Sequence, residues 1–171
     1  MSSQRFIKQE STASGVTYFV ADDLFSADFQ VYKLILDNIN PSTSNYVHMR
    51  MVNSTGSIIA TSEYDVAIYS LYTYGSYASE GRAQNGTKWD NQVYANTDSD
   101  NGAMAVIYVF NPFDNDKHTL IQGESVGQDG DIGGKTIGLL KNFDECTGVM
   151  IYPNSGTFDN ARIRAYGIRM D

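Results

Sequence analysis

Hydrophobic and polar residues alternate along most of this chain with a period of two. In Tyr46–Val52, for example, Val47, Met49 and Met51 alternate with polar or charged side chains. Successive side chains of a β-strand point to opposite faces, so this alternation predicts strands that bury one face. Apolar residues spaced by three and four positions nowhere persist for three helical turns. The pattern therefore predicts an all-β protein.

About ten short strands are expected, separated by turns rich in Gly, Asn, Asp and Pro. They are Gly15–Val20, Val31–Ile39, Tyr46–Val52, Ser57–Ser62, Glu63–Tyr74, Ala103–Phe110, Lys117–Gly123, Thr136–Leu140, Thr147–Tyr152 and Ala161–Ile168. Within the second of these, strict alternation places Ile39 on the same face as Val31 and opposite Leu34. Strands that follow one another without helices pair antiparallel, which predicts a single antiparallel β-sandwich resembling a jelly roll.

Two stretches depart from this pattern. Residues 1–14 are polar and are predicted to form an N-terminal arm, which leaves residues 15–171 as the sandwich domain. An extended arm of this kind is suited to add a strand to the open sheet edge of a neighbouring molecule. Gly75–Asp100 is polar and rich in Gly, Asn and Asp, which predicts a long loop. This loop and the acidic turn at Glu124–Gly134 are expected to face outward.

The composition argues against several classes of protein. With 12 Lys and Arg against 20 Asp and Glu, the 171-residue chain carries a formal charge of −8, so no nucleic-acid partner is expected. No apolar stretch reaches the ~20 residues of a membrane-spanning helix, so no membrane insertion is expected either. Met1–Gly15 lacks the apolar segment of a signal peptide, which predicts synthesis in a cytoplasm. The single cysteine, Cys146, lies in an apolar run and is expected to be a small buried hydrophobe.

One motif suggests nucleophilic catalysis. Gly123–Gly127 matches the G-x-S-x-G pattern with Ser125 as its serine, and that pattern requires a strand, a sharp turn and then a helix. The following residues, 128–134, are too rich in Gly and Asp to form a helix. Both histidines, His48 and His118, precede the serine, whereas the pattern places its histidine late in the chain. We therefore predict no catalytic residues and no enzymatic activity.

Acidic side chains gather in three expected turns. These are Asp98, Asp100 and Asn101, then Asp114 and Asp116, and finally Asp129 and Asp131. Ca²⁺ takes oxygen ligands from such loops, but the spacing of an EF-hand is absent, and Asp and Asn also favour turns by bonding to the local backbone. His48 and His118 have no partner at metal-ligand spacing. We predict no metal and no cofactor, with Ca²⁺ at one of these turns as the alternative.

Aromatic residues are concentrated in and around the expected long loop. Tyr74, Tyr77, Trp89 and Tyr94 form the candidate recognition surface, since aromatic rings with a polar tip are favoured at sugar-binding and protein-binding surfaces. The alternative is that these rings fill the core or seal its edges. The arginines on polar strand faces, Arg50, Arg162 and Arg164, are expected to be solvated or, alternatively, to form ion pairs across an interface.

Four segments carry a resemblance to a known group of proteins. They are Phe25–Pro41, Val109–Pro112, Lys117–Ile121 and Ala161–Ile168. Their order resembles that in the small β-sandwich, jelly-roll-like virion proteins of tailed bacteriophages, especially the capsid-decoration, knob or tail-fibre modules of marine cyanophages. In that group a strand entering Asn-Ile-x-Pro opens the domain and a Tyr-Gly-Ile strand closes it. The resemblance spans nearly the whole chain.

The resemblance implies a non-enzymatic virion structural protein displayed on the particle exterior, as capsid decoration, cement or knob. Its partners would be other virion proteins of the capsid or tail. It would also form a homo-oligomer, for which a trimer is favoured. The protein would be made in the host cytoplasm and end in the virion. The alternative is a tail-fibre or receptor-binding adhesin module that recognises host surface glycans.

Overall fold

The computed structural model describes residues 3–75, 78–95, 97, 102–127 and 132–169, and within these all regular structure is β. The strands are β1 (Gln4–Ser11), β2 (Phe19–Ala21), β3 (Val31–Pro41), β4 (Asn45–Asn53), β5 (Tyr64–Tyr72), β6 (Ala78–Gly86), β7 (Trp89–Ala95), β8 (Ala103–Phe110), β9 (Thr119–Val126), β10 (Ile132–Leu140), β11 (Cys146–Pro153) and β12 (Phe158–Ile168). No helix that could cross a membrane occurs in this part of the chain.

The strands form two antiparallel sheets packed face to face. The larger sheet has eight strands in the order β1-β12-β3-β8-β9-β10-β5-β6, and the smaller has four in the order β2-β11-β4-β7. Their inner faces enclose one apolar core, which includes Leu34, Met49, Ile107 and Ile163. The predicted all-β class and the antiparallel sandwich of jelly-roll type are confirmed.

A bulge in β3 changes the side of the sheet on which Ile39 lies. Asn38 has a positive φ of 53°, and the pairing of β3 with β8 shifts between Leu36 and Ile39. The extra residue turns Ile39 into the core, where it is fully buried, so the predicted placement beside Val31 is wrong. Gly102 packs against this bulge, because a Cβ there would lie 2.5 Å from the Cα of Asn38.

Three strands occur where the sequence predicts an arm or a loop. The predicted arm contains β1, which pairs with β12 of the same chain rather than with a neighbour. The predicted loop at Gly75–Asp100 contains β6 and β7. Strands β1 and β6 are the two edges of the large sheet, and most of their residues are exposed. Edge strands do not need an apolar face, which is why the alternation rule misses them.

The predicted hairpin strand at Ser57–Ser62 is reduced to one isolated bridge between Val52 and Ile58. Similarly, the strand predicted at Gly15–Val20 is limited to the short β2 and a bridge from Val16 to Phe158. Of these two segments, only the end of Gly15–Val20 enters a sheet, where β2 is an edge strand of the small sheet.

The large sheet extends beyond the small one and bends over its edge. Val66 and Ile68 of β5 lie across a cleft from Tyr46 and His48, which are on the outer side of β4. The β5–β6 hairpin therefore covers part of the outer surface of the small sheet. This cover explains why His48, on the polar face of its strand, is only 3 % exposed.

Candidate functional site

The predicted recognition surface is divided by the fold, and Trp89 is not part of any surface. Trp89 begins β7 and is fully buried. Its indole meets the ring of Tyr64 edge-on, with centroids 5.1 Å apart, and its N–H donates to the carbonyl of Leu139 at 3.3 Å. The space for the indole is provided by Gly138, where a Cβ would lie 2.6 Å from the indole nitrogen. The prediction of a recognition role for Trp89 is wrong, because the ring fills the core.

Tyr74 and Tyr94 belong to one tyrosine cluster on the surface. Tyr94 meets Tyr46 edge-on at 5.0 Å, and Tyr72 meets Tyr74 at 6.1 Å. Tyr46 also hydrogen-bonds to Tyr72, which joins the two pairs, and burial together with this neighbour raises the pKa of Tyr46. Tyr74 is 58 % exposed. Tyr77, the fourth predicted residue, lies outside the described residues.

A polar cleft of about 360 Å³ runs beside this cluster, between the β5–β6 hairpin and the small sheet. Within it, the backbone N–H of Asn91 donates to Nδ1 of His48 at 3.2 Å, and Nε2 lies 3.3 Å from the side-chain oxygen of Asn154. Nδ1 is therefore the acceptor, and Nε2 carries the proton. Burial and the nearby ammonium of Lys88 lower the pKa of His48. Asp90 is 3.3 Å from Nδ1 but forms its ion pair with Lys88, at 2.9 Å.

The largest candidate site is the outer face of the large sheet, meaning the face that is turned away from the small sheet. Among the described residues, seven of the eleven exposed large hydrophobic side chains lie on this face. They are Phe6, Tyr69, Leu71, Met104, Leu120, Val126 and Ile137. A monomeric soluble protein rarely leaves so many large apolar side chains uncovered on one face, so the outer face is the strongest candidate for binding a macromolecule.

Two adjoining depressions mark the β10–β5–β6 side of the outer face. They measure about 540 and 530 Å³ and share Ala67, Arg82 and Ile137 as lining residues. The two depressions meet at Ala67, whose side chain is small compared with those of the neighbouring Tyr69 and Ile137. Lys135 and Glu124 form an exposed ion pair at 3.1 Å on the same face. The site thus combines apolar area with a few charges, as protein interfaces do.

Sequence analysis misses this site, although a signal for it is present. In β8, Val106, Tyr108 and Phe110 alternate with Ala105, Ile107 and Val109, so both faces of the strand are apolar. A strand in the middle of a sheet that is covered on one side requires only one apolar face. The second apolar face of β8 therefore indicates a contact outside the sandwich.

The three arginines on polar strand faces all make contacts within the chain. Arg162 and Arg164 both pair with Asp37, whose carboxylate is almost completely buried on the outer face. Arg50 donates to the carbonyl of Thr87 at 2.9 Å and lies over the ring of Tyr152, 5.1 Å from its centroid. All three arginines are therefore paired within the chain while Arg162 and Arg164 stay partly exposed, and the alternative of ion pairs across an interface remains a prediction.

The catalytic motif does not acquire its required geometry. Ser125 lies within β9, where it pairs with Gly134 of β10 and Ala105 of β8. A nucleophile elbow needs a sharp turn at the serine, and a continuous strand does not provide one. Cys146 is fully buried, as its apolar setting predicts, and burial raises the pKa of its thiol to about 12.

The acidic turns are described only in part. Asp114 accepts the backbone N–H of Asp116 at 2.9 Å and pairs with Lys117 at 2.6 Å, and these contacts lower the pKa of Asp114. Asp114 therefore stabilises the turn in which it lies. The other predicted turns, around Asp98–Asn101 and Asp129–Asp131, lie outside the described residues. Within the described residues, no group of three His, Cys, Asp or Glu side chains is placed to hold a metal.

Comparison with known proteins adds only distant similarities. No protein-family model matches the chain, and no curated protein matches it. A single mutant of Congerin II is 15 % identical, with a TM-score of 0.34, over 92 % of this chain and 99 % of the congerin. Caenorhabditis elegans galectin LEC-6 is 10 % identical, with a TM-score of 0.32, over 98 % of this chain and 96 % of the galectin. The exo-inulinase from Aspergillus awamori is 11 % identical, with a TM-score of 0.40, over 97 % of this chain and 29 % of the enzyme. Similarities of this degree carry no argument about ligand or activity.

Proposed function

We propose that this chain is a non-enzymatic structural protein of a tailed-phage virion, displayed on the particle exterior as a decoration, cement or knob protein. In this role the protein works by binding other virion proteins through its surface. The sequence resemblance carries the assignment to a virion. The observation that favours a binding role is the uncovered apolar outer face of the large sheet.

The outer face is suited to permanent contact rather than to transient exposure. Leu120, Val126 and Ile137 are each more than 40 % exposed on neighbouring strands, and the transfer of apolar surface out of water favours association. A sheet also holds these side chains rigidly, so little conformational entropy is lost on docking. A cement protein needs this combination, since it must stay attached to the particle.

The test is the copy number and position of the chain in intact particles, by quantitative gel analysis and cryo-EM averaging. The proposal predicts many copies in register with the capsid lattice. The absence of the chain from purified particles would sink the proposal. A fixed position at the tail would favour the second candidate function.

The second candidate is an adhesin that binds host surface glycans through the tyrosine cluster. The observation that favours it is that Tyr46, which contacts Tyr94, lines a cleft together with Lys88, Asp90 and Asn154. Exposed Tyr74 belongs to the same cluster. Aromatic faces beside hydrogen-bonding groups suit a polyhydroxylated ligand.

This candidate predicts that Tyr74→Ala combined with Tyr94→Ala abolishes binding of the labelled, folded chain to host cells. Tyr18→Ala is the control, because Tyr18 is a similarly exposed tyrosine, at 55 %, outside the cluster. Equal binding by the double variant and the control would exclude the cluster as a glycan site. Trp89→Ala is unsuitable for this test, because it changes the core.

A further inference from the structure

The outer face of the large sheet carries a pattern that complements itself. Three rows of side chains cross the sheet at right angles to the strands, as fixed by the strand pairing. From β1 to β10, row A is Gln4, Ile168, Val31, Phe110, Leu120 and Leu139; row B is Phe6, Tyr166, Lys33, Tyr108, Gln122 and Ile137; and row C is Gln9, Arg164, Ile35, Val106, Glu124 and Lys135.

We propose that a second copy of this chain covers the outer face, related by a two-fold axis that runs along the strands between β3 and β8. Such a rotation turns the sheet over and reverses the order of its strands but keeps each row in place. Each row therefore faces the same row of the second copy, read in the opposite direction. Because a rotation preserves handedness, the two twisted sheets stay parallel across the contact.

The centre of this contact is apolar. Beside the axis, β3 of one copy faces β8 of the other, so Val31 meets Phe110 and Ile35 meets Val106. The ammonium of Lys33 meets the ring of Tyr108, which is a favourable cation–π arrangement. Further from the axis β12 faces β9, and β1 faces β10.

The charges of row C also match. Arg164 of β12 faces Glu124 of β9 in the second copy, and the symmetry forms this pair twice. Arg164 shares the carboxylate of Asp37 with Arg162, so this cluster of two cations and one anion keeps a net positive charge. The carboxylate of Glu124 in the second copy, which also pairs with Lys135 of its own chain, adds a negative charge beside this cluster.

The exposed apolar side chains at the margin pair as well. Phe6 on β1 faces Ile137 on β10 of the second copy, and these side chains are 55 % and 61 % exposed. Ile168 similarly faces Leu120. Two large exposed hydrophobic side chains are therefore removed from water at each end of the contact.

Other two-fold arrangements of the same face fit less well. An axis between β8 and β9 places Lys33 over Ile137 and Ile35 over Lys135, which buries two ammonium groups against apolar side chains. An axis between β12 and β3 places Arg164 over Ile35 and leaves Leu120 uncovered. Of these three axes, the one between β3 and β8 matches the most apolar and charged positions in rows A to C, although in the next row along the strands it places Arg162 over Val126 of the second copy.

The contact is large enough for a stable dimer. Six strands about 4.8 Å apart, crossed by three rows about 6.8 Å apart, cover roughly 600 Å² per copy, which is the lower end of specific interfaces at about 1,200 Å² in total. A standard-size interface removes about 800 Å² from each partner. Because the contact is isologous, it gives a dimer rather than the trimer that the sequence resemblance favours.

The first test is the oligomeric state of the purified full chain, measured by sedimentation velocity between about 1 and 100 μM. We expect a dimer that Ile137→Lys weakens about tenfold or more, since it buries an ammonium against Phe6. Leu71→Lys is the control, because Leu71 is 46 % exposed on the same face but lies on β5, outside the contact. A monomer throughout this range, a trimer, or a dimer unaffected by Ile137→Lys would overturn the proposal.

The second test concerns the register. Facing sheets lie about 10 Å apart, beyond the reach of a disulfide, so a bis-maleimide of about that length is the suitable probe. Phe6→Cys combined with Ile137→Cys should give covalent dimers in high yield, whereas Phe6→Cys with Leu71→Cys should not. Cys146 is buried and will not compete. Equal yields from the two pairs would exclude this axis.

The inference names the homo-oligomeric contact within the proposed function and leaves the β5–β6 side of the outer face, with exposed Tyr69 and Leu71, for docking to other virion proteins. It does not depend on where in the virion the protein lies. Both tests use the isolated chain, whereas the copy number in particles tests the virion assignment. A dimer that is absent from particles would leave the inference standing and remove the proposed function. A monomer that is present in particles would do the reverse.

Discussion

Trp89 and His48 show how a residue's environment differs from the one its sequence neighbours suggest. Trp89 stands among polar residues such as Asp90 and Asn91, which predict a loop. Asn91 instead adopts a positive φ of 50°, and the pairing register of β4 and β7 shifts beside it. A bulge therefore interrupts the alternation of inward and outward side chains in this segment. No propensity reports such a bulge, and for this reason the burial of Trp89 could not be predicted.

The burial of Trp89 predicts a large effect on stability. Trp89→Ala is expected to lower the free energy of unfolding by about 3–5 kcal/mol, because it opens a cavity beside Tyr64 and Gly138. Urea denaturation followed by far-UV circular dichroism measures this change. Tyr74→Ala is the comparison, since its exposed ring should contribute less than about 0.5 kcal/mol. Similar small effects of both substitutions would contradict the core position of the indole.

His48 predicts how stability depends on pH. Its pKa is lowered in the folded chain from the ordinary 6.5, so below about pH 6.5 the unfolded chain binds a proton that the folded chain does not. The contribution of His48 to the free energy of unfolding is therefore fully present above about pH 6.5. This contribution is lost as the pH falls towards the pKa of His48 in the folded chain.

Urea midpoints should be measured between about pH 5 and 7.5. As the pH is lowered, the midpoint should decrease in the wild type and decrease less steeply in His48→Gln. His118→Gln removes the other histidine and serves as the control. An identical slope in the wild type and His48→Gln would show that His48 does not carry the effect.

At the scale of the element, sequence predicts the inner strands well and the edges poorly. Strands such as β8 and β12 are found where the alternation places them, because burial of one face imposes that pattern. The edge strands β1 and β6 carry charged and polar residues on both faces. Their conformation is set by hydrogen bonds to a neighbouring strand, which no local pattern reports. The candidate site is missed for a related reason. A strand whose outer face is also apolar has the same sequence pattern as a strand that is buried on both faces.

Strand β1 is expected to be part of the fold rather than an optional arm. Deletion of residues 2–11 removes the ladder with β12 and the apolar contact of Ile7 with the core. We expect a loss of about 2–4 kcal/mol in the free energy of unfolding, and aggregation through the newly open β12 edge. Chemical denaturation and light scattering measure the two effects. Deletion of residues 2–3 keeps β1 and is the control; equal stability of the two truncated chains would show that β1 contributes nothing.

At the scale of the whole molecule, the pairing of distant strands governs folding. Strands β3 and β12 are neighbours in the large sheet, and β2 and β11 are neighbours in the small one, although long stretches of sequence separate them. Chain entropy opposes such contacts until the sheet begins to assemble, so proteins of this topology fold slowly.

Refolding should therefore take milliseconds to seconds, as in other all-β sandwiches. The fluorescence of Trp89, the single tryptophan, is a suitable probe in stopped-flow dilution from urea, because the indole passes from water to the core. Completion of refolding within the instrument dead time, with a full native signal, would contradict this expectation.

The pairing of the first strand with the last has a consequence for biosynthesis. Gln4 begins β1 and its partner Ile168 ends β12, so nearly the whole chain must leave the ribosome before β1 can find its place. At roughly 5–20 residues per second, β1 waits on the order of ten seconds or more. During that interval β1 is a polar, charged segment, and such a segment can remain in water without collapsing. The composition that makes β1 resemble a loop thus allows β1 to stay in water until its partner β12 is made.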